Sequence, residues 1–193
     1  MRLRSILPVL LVVFLAGCAT TPPAPPVPPD QAAAAALSRW QVTGKIGVTQ
    51  GKTRHFAAIN SWVQSGDHFD IRLSSTLFGL GAARLTGTPG HIRIIQGDDV
   101  YLSDAPDKLV REALKLPLPV SALPWWARGL PLPGQPWTQA PESAPGTRQF
   151  NQLGWEVVAS RFTPVNGITL PTRVDLSRDN LRIRLVITTW QLN

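Results

Sequence analysis

The sequence contains very little cysteine, since Cys18 is the only one in 193 residues. A lone thiol cannot form an internal disulfide, and His55, His68 and His91 show no spacing typical of metal ligands or of a catalytic triad. The chain also lacks a glycine-rich phosphate loop with its lysine and a Gly-x-Ser-x-Gly motif. We therefore expect no metal, no nucleotide cofactor and no enzymatic activity.

Long apolar runs are scarce as well. The main one covers residues 6–15, is interrupted by Pro8 and follows the positively charged Arg2 and Arg4. It is too short to cross a bilayer, and no stop-transfer pattern follows it. Residues 1–17 are therefore interpreted as a signal peptide, which exports the chain.

The end of this run, Leu15-Ala16-Gly17-Cys18, resembles a bacterial lipobox. The resemblance implies a diacylglyceryl group on the Cys18 thiol, cleavage before Cys18 and acylation of the new amine. Several acyl chains on one residue anchor a protein stably, and lipidation explains an odd cysteine in an exported chain. The alternative is an ordinary signal peptide with a chance cysteine. Ala19 does not resemble the aspartate that retains lipoproteins at the inner membrane, which favours the outer membrane, facing the periplasm.

The net charge is +7 and the pI is about 10.7, values that would suit a nucleic-acid partner. The arginines are nevertheless mostly isolated along the chain, and Arg178, Arg182 and Arg184 form the densest group. Together with export, this argues against nucleic acid. Two explanations stay open: a surface that faces anionic lipid head groups, or an ordinary solvated surface.

Residues 18–37 are rich in proline and alanine, and we interpret them as a semi-rigid tether. Residues 38–193 then form one domain in which stretches of alternating apolar and polar residues predict many antiparallel strands. Two short helices are predicted between the strands, near residues 104–115 and 121–127. A strongly curved sheet with helices over its concave side would enclose an apolar cavity.

Tryptophan is the candidate lining of such a cavity, because seven of these residues occur in the chain. The alternative is that most of them only fill a core. The candidates for the cavity or its lid are Trp40, Trp62, Trp125, Trp126, Trp155 and Trp190.

An ordered set of short motifs extends through residues 38–193, behind the lipobox. The motifs are Trp40, Gly44-Lys45-Ile46, Trp62, Leu77-Phe78-Gly79-Leu80-Gly81-Ala82, Leu85-Thr86-Gly87, Leu118-Pro119-Val120, Leu123, Trp126, Gly129-Leu130-Pro131, Gly154-Trp155, Leu170-Pro171 and Trp190. In this order they resemble the LolB family of outer-membrane lipoprotein receptors. The resemblance implies a mainly β (α+β) fold, an open antiparallel β-barrel of about eleven strands with short helices as a lid.

The resemblance further implies that the chain accepts lipoproteins, by their acylated N-termini, from a LolA-like periplasmic carrier. It would then insert them into outer-membrane phospholipid, acting as a monomer with no cofactor beyond the covalent lipid on Cys18. Family members carry a tip loop, commonly Pro-Leu-Gly, whose leucine promotes membrane insertion. Leu77-Phe78-Gly79 stands there in this chain, so either Phe78 or Leu77 leads insertion. A tip folded back under the lid is the alternative.

Two other functions stay open. An outer-membrane-anchored interaction module would bind protein through a sheet edge or a tryptophan surface and would need no lipid cavity. A general carrier for other lipids would use the same fold. Binding of a lipopeptide by the domain separates the first of these from a lipoprotein receptor.

Overall fold

The computed structural model describes residues 31–75, 81–114, 118–140 and 144–193. Within these ranges the chain forms three short helices and eleven strands. The helices are α1 (Ala32–Ala35), α2 (Pro106–Leu114) and α3 (Leu123–Ala127). The strands are β1 (Arg39–Gln50), β2 (Thr53–Ser65), β3 (His68–Ser75), β4 (Ala82–Thr88), β5 (His91–Gln96), β6 (Asp99–Ser103), β7 (Trp137–Gln139), β8 (Thr147–Gln152), β9 (Trp155–Val165), β10 (Ile168–Arg178) and β11 (Leu181–Leu192).

All eleven strands belong to one antiparallel sheet with the order β6-β5-β4-β3-β2-β1-β11-β10-β9-β8-β7. Strands β1 to β6 pair with their neighbours in sequence, and so do strands β7 to β11. The pairing of β1 with β11 joins these two halves of the chain. β6 and β7 are the two edges of the sheet and do not pair with each other. The sheet is therefore open, which confirms the fold class expected from the sequence.

Alternation along each strand separates an inner, buried face from an outer, exposed one. In β11 the side chains of Ile183, Leu185 and Ile187 are buried, whereas those of Arg182 and Arg184 are exposed. This is the period of two expected when one face of a strand packs on a core and the other meets water.

Irregular pairing at the centre of the sheet bends it. The register shifts between Thr43 and Gly44 where β1 meets β11, and near the same residues where β1 meets β2. A third shift lies between Ile59 and Ser61, where β2 meets β3. Bulges in adjacent strands increase local twist and bend the strands. A side chain at Gly44 would meet the Val186 carbonyl oxygen at 2.1 Å, so the bend requires glycine there.

The helices follow from local signals. Pro106 begins α2, where its missing N–H costs no hydrogen bond, and the Asp107 carboxylate accepts a hydrogen bond from the Val120 N–H at 2.8 Å. This bond ties the start of α2 to the segment that leads into α3. In α1 the side chain of Ala34 is only 1% exposed, so the last residues of the segment interpreted as a tether are packed on the domain.

Two of the sites expected from the sequence, Cys18 and the tip Leu77-Phe78-Gly79, lie outside the described residues. The strands beside the tip are described, and Ser74 of β3 pairs with Ala82 of β4. The β1–β2 turn is at the same end of the sheet, because Ala57 of β2 pairs with Ser75.

Candidate functional site

An apolar cavity lies between the inner face of the sheet and the helices. The lid is defined here as α2, α3 and the connecting residues 118–122. The sheet supplies one wall through inward side chains of β1, β2, β3, β4, β10 and β11, and the lid supplies the other. The cavity is lined by Ile46, Ile59, Trp62, Phe69, Ile71, Leu73, Leu85, Val110, Leu118, Val120, Leu123, Trp126, Ala127, Val174, Leu176, Ile183 and Leu185.

Among the described residues, the lining contains no charged side chain, and its two indole N–H groups already donate hydrogen bonds. Trp62 donates to Gln64 Oε1 at 3.3 Å, and Trp126 donates to Gln152 Oε1 at 2.9 Å. A cavity without free donors or charges offers nothing to a polar ligand, but it does offer apolar contact to a hydrocarbon.

The cavity is small as the structure has it, about 90 Å³. A buried water needs on the order of 10–15 Å³ of such space, so the cavity has room for roughly six to nine waters. An acyl chain of a dozen or more methylenes takes up more space than this. The cavity must therefore widen to hold a long hydrocarbon chain.

Of the tryptophans expected at the cavity or lid, some line the cavity and others are packed in the core behind its lining. Trp62 and Trp126 line the cavity. Trp40 and Trp190 belong to a cluster with Trp62, in which the Trp40 ring lies 5.1 Å from that of Trp62 and 5.4 Å from that of Trp190, both edge to face. Trp155 lies 6.3 Å from Trp126. Trp40, Trp155 and Trp190 therefore support the wall from behind.

Gln152 fixes the lid to the sheet. Its side chain is 2% exposed and stands at the end of β8, where it accepts hydrogen bonds from Trp126 Nε1 and from the Leu132 N–H at 2.7 Å. Its amide nitrogen donates to the carbonyl oxygens of Leu132 and Gln135. A single buried amide thus holds both α3 and the segment after it.

Arg128, directly after α3, holds the N-terminal segment. Its Nη1 donates to the carbonyl oxygens of Ala34 and Leu37, each at 2.9 Å, and its Nε donates to that of Pro124 at 3.0 Å. The guanidinium also lies 4.3 Å from the centre of the Trp125 ring. Burial lowers the pKa of Arg128 to about 10, so it remains a cation at neutral pH. Trp125 therefore belongs to this junction and does not line the cavity.

A second pocket, of about 340 Å³, lies beside the apolar cavity and shares Phe69 and Val120 with it. Its lining is more polar and includes Asp67 and Arg128 together with Trp125. The site therefore combines a hydrocarbon-like interior with an adjacent compartment that carries charges.

Gln152 and Arg128 were not identified from the sequence, although each had a weak signal. Gln152 occupies an inward position of its strand, two residues after the buried Phe150, where an apolar residue is the rule. Arg128 stands at the end of a helix beside Gly129, where a basic residue is usually explained by the exposed carbonyl groups.

In the described ranges no helix has both the length and the apolar composition needed to cross a membrane. The same ranges contain no group of three or more His, Cys, Asp or Glu side chains arranged to hold a metal ion.

Comparison with known proteins gives consistent results. The family described as "Outer membrane lipoprotein LolB" matches residues 38–190. The outer-membrane lipoprotein LolB of Ectopseudomonas mendocina (strain ymp) is 37% identical over 201 aligned positions, which cover 98% of this chain and 97% of the relative. That of Pseudomonas fluorescens (strain Pf0-1) is 40% identical over 156 positions, covering 80% of this chain and 75% of the relative.

Among solved structures, a DUF1329 family protein from Desulfovibrio piger superimposes with a TM-score of 0.57 at 7% sequence identity. The match covers 84% of this chain and 89% of the other. At this identity the similarity concerns the fold alone.

The Arg128 junction leads to a prediction. Arg128→Met keeps most of the side-chain volume but leaves the buried carbonyl groups of Ala34 and Leu37 without their donor. Since a hydrogen bond to a charged group contributes about 1.5–3 kcal/mol and at least two are lost, we expect the free energy of unfolding in urea to fall by about 3 kcal/mol or more. Lys108→Met, at an exposed position of α2, is the control and should change it little. Hydrogen exchange should also become faster at the Ala36 amide, which bonds to the Ala32 carbonyl. Unchanged protection there would contradict the assigned role.

Proposed function

The chain belongs to the LolB family of outer-membrane lipoproteins, and we propose that it receives the acylated N-termini of other lipoproteins in its apolar cavity and releases them into the outer membrane. The family is one of lipoproteins that act in lipoprotein localisation and is not a family of enzymes. One observation carries the finer proposal: a cavity between the sheet and the lid whose described lining is apolar throughout. A LolA-like periplasmic carrier is the proposed donor.

The chemistry of the cargo explains why a cavity is needed. Each methylene removed from water contributes about 0.8 kcal/mol, so a lipoprotein with several acyl chains does not cross an aqueous compartment unaided. Apolar surface must therefore be offered at every step, and transfer proceeds downhill from carrier to receptor to bilayer. The small size of the cavity, about 90 Å³, supports a cycle in which the lid moves outward to load the chains.

The lid is built so that it can move without unfolding the sheet. Its cavity-facing residues, among them Val110, Leu123 and Trp126, make apolar contacts, which acyl chains can replace with similar energy. Its directional attachments are few: Trp126 bonds to Gln152, and Arg128, directly after α3, bonds to the N-terminal segment. We propose that the lid swings about these attachments while the apolar contacts are exchanged for those of the cargo.

A second candidate function is supported by the free edge of the sheet. β6 has no partner beyond β5 in the described residues, and its Val100, Tyr101 and Leu102 are 50%, 39% and 62% exposed. An exposed apolar edge strand can add a strand from another protein, as an interaction module would require. A lipid requirement for binding distinguishes the two functions.

The anchor is the first prediction of this function. We propose that Cys18 is the acylated N-terminus of the mature chain and that it carries the lipid which retains the domain at the outer membrane. Mass spectrometry of the mature N-terminal peptide should show an acylated Cys18 and no trace of residues 1–17. An unmodified Cys18 would rule this assignment out. The Cys18→Ala chain with a substitute signal should be soluble and still accept cargo, because the cavity lies beyond the tether.

The second prediction concerns lipid binding in the apolar cavity. Ile71 is half-buried and faces the cavity, so Ile71→Trp should fill much of the available space. We expect a triacylated lipopeptide to displace an apolar fluorescent probe from the Cys18→Ala chain, and Ile71→Trp to weaken that binding about tenfold or more. Val63→Trp, which adds the same ring at an exposed position of β2, should bind normally.

A non-acylated peptide of the same sequence completes this experiment. If it competes as well as the lipopeptide, recognition is not of lipid and the edge-strand function is favoured. If Ile71→Trp and Val63→Trp bind lipopeptide equally well, the cavity is not the binding site.

The third prediction concerns the tip Leu77-Phe78-Gly79 and its contact with the membrane. We propose that Phe78, helped by Leu77, enters the head-group boundary of the bilayer during release. Burial of such a side chain contributes on the order of 1.5–3 kcal/mol, enough to favour release but weak enough to be reversible. Phe78→Glu should leave acceptance from the carrier intact and reduce delivery of a labelled lipoprotein into liposomes. Leu77→Glu, measured in parallel, shows which residue leads. Normal delivery by both variants, or failure of both at acceptance, would exclude a membrane-facing tip.

A further inference from the structure

The outer face of the sheet carries a groove that the transfer of acyl chains does not use. It has a volume of about 650 Å³ and crosses five adjacent strands, β2, β1, β11, β10 and β9. Its walls are formed by outward side chains, in alternation with the buried Val48 and Ile183 that point to the core. The groove and the apolar cavity are therefore on opposite faces of the same strands.

Positive charge dominates this groove. Lys45, Arg54, Arg182 and Arg184 line it, against the two carboxylates of Asp175 and Glu156. Both carboxylates are already engaged. One oxygen of Asp175 accepts from Arg184 at 2.6 Å and the other from Arg173 at 2.6 Å.

The second carboxylate, that of Glu156, accepts hydrogen bonds from Gln149 at 2.6 Å and from Ser177 at 2.7 Å. Lys45, Arg54 and Arg182 consequently have no carboxylate partner among the residues that the structure describes. Three cations in one concave surface attract an anionic ligand more strongly than the same charges would if they were dispersed.

An exposed aromatic ring stands beside these cations. Phe56 is 65% exposed, the highest value among the large apolar side chains of the described residues. Its ring lies against Gly47, where an added Cβ would meet Phe56 Cε1 at 3.1 Å. An aromatic ring in water next to lysine and arginine is the combination that binds at the head-group level of a bilayer, where the ring finds apolar contact and the cations find phosphate.

The groove is also placed towards one end of the sheet. Arg54 and Phe56 belong to the start of β2, and the next residue, Ala57, pairs with Ser75 at the end of β3. Arg182 is near the start of β11 and pairs with Thr49 near the end of β1. Basic residues of different strands are thus gathered at one end, where a flat surface can meet them together.

We propose that this basic groove, formed by Lys45, Arg54, Phe56, Arg182 and Arg184, docks on the anionic phospholipid head groups of the membrane. Docking would orient the anchored domain, holding one end of the sheet at the bilayer while the opposite face loads and releases cargo. The contact adds to the covalent anchor and does not depend on lipoprotein transfer, because it would exist even if the cavity took up no acyl chain.

The test uses the mature chain with Cys18→Ala, so that the covalent lipid does not dominate binding. Cosedimentation is measured with vesicles of phosphatidylethanolamine and phosphatidylglycerol, and with vesicles of phosphatidylcholine alone. We expect stronger binding to the anionic vesicles, lost at about 1 M salt, where charges are screened within roughly 3 Å. Apolar insertion of a tip would persist in that salt, so the salt dependence separates the two contacts.

The decisive variant is the pair Arg54→Glu and Arg182→Glu, and its matched control is Arg93→Glu with Lys108→Glu. The control makes the same change in net charge at exposed positions of β5 and α2, away from the groove. We expect the groove pair to weaken binding to anionic vesicles about tenfold or more and the control to weaken it by less than threefold. Phe56→Ala should weaken binding as well, with little change in its salt dependence.

Two results would overturn the proposal. Equal losses in the groove pair and the control would mean that only net charge matters, and unchanged binding in the groove pair would place the membrane contact elsewhere. The milder pair Arg54→Gln and Arg182→Gln guards against misfolding, and circular dichroism must match that of the parent. If the groove pair binds anionic vesicles normally but loses binding to an acidic protein, the groove is a protein-docking surface and the lipid assignment is wrong.

Discussion

The structure depends on one constraint: a sheet that curls around an apolar face without closing must cover that face with something else. The two edge strands, β6 and β7, do not meet, so the side chains on the concave face cannot pack entirely against one another. The lid takes the place of the missing wall. Apart from the bond between Trp126 and Gln152, the contacts across the cavity are apolar and nondirectional. The proposed exchange for contacts with hydrocarbon would therefore cost little, which a closed hydrogen-bonded barrel would not permit.

Directional bonds to the lid are few and come from two buried polar residues. Gln152 and Arg128 are among the few polar residues in the core, and each binds main-chain groups at the margin of the lid. Their position leaves the middle of the cavity free of donors and acceptors, so a hydrocarbon chain placed there would meet no group that loses hydration without compensation. The buried Arg128 cation is tolerated because carbonyl oxygens and the Trp125 ring surround it.

The sequence was sufficient to predict the strands and the two helices of the lid, but not the roles of Gln152 and Arg128. Alternation such as Leu181 to Ile187 follows directly from a sheet with one buried face, and Pro106 marks the start of α2. The bond from Arg128 to Ala34 joins residues 94 positions apart, and local patterns carry no information on such a contact. For the same reason the sequence could not separate wall from core tryptophans. Trp40 and Trp62 both point inward, and only their packing decides which one lines the cavity.

The same alternation allows one sheet to line an apolar cavity on its inner face and a basic groove on its outer face. Ile183 and Leu185 face the cavity, whereas Arg182 and Arg184, adjacent to them in sequence, face outward into the basic groove. A shift of register by one residue would exchange the two sets, placing arginines in the cavity and leucines in water. The register of the central strands is therefore constrained by both faces at once. It sets the apolar lining of the cavity together with the charge of the outer surface.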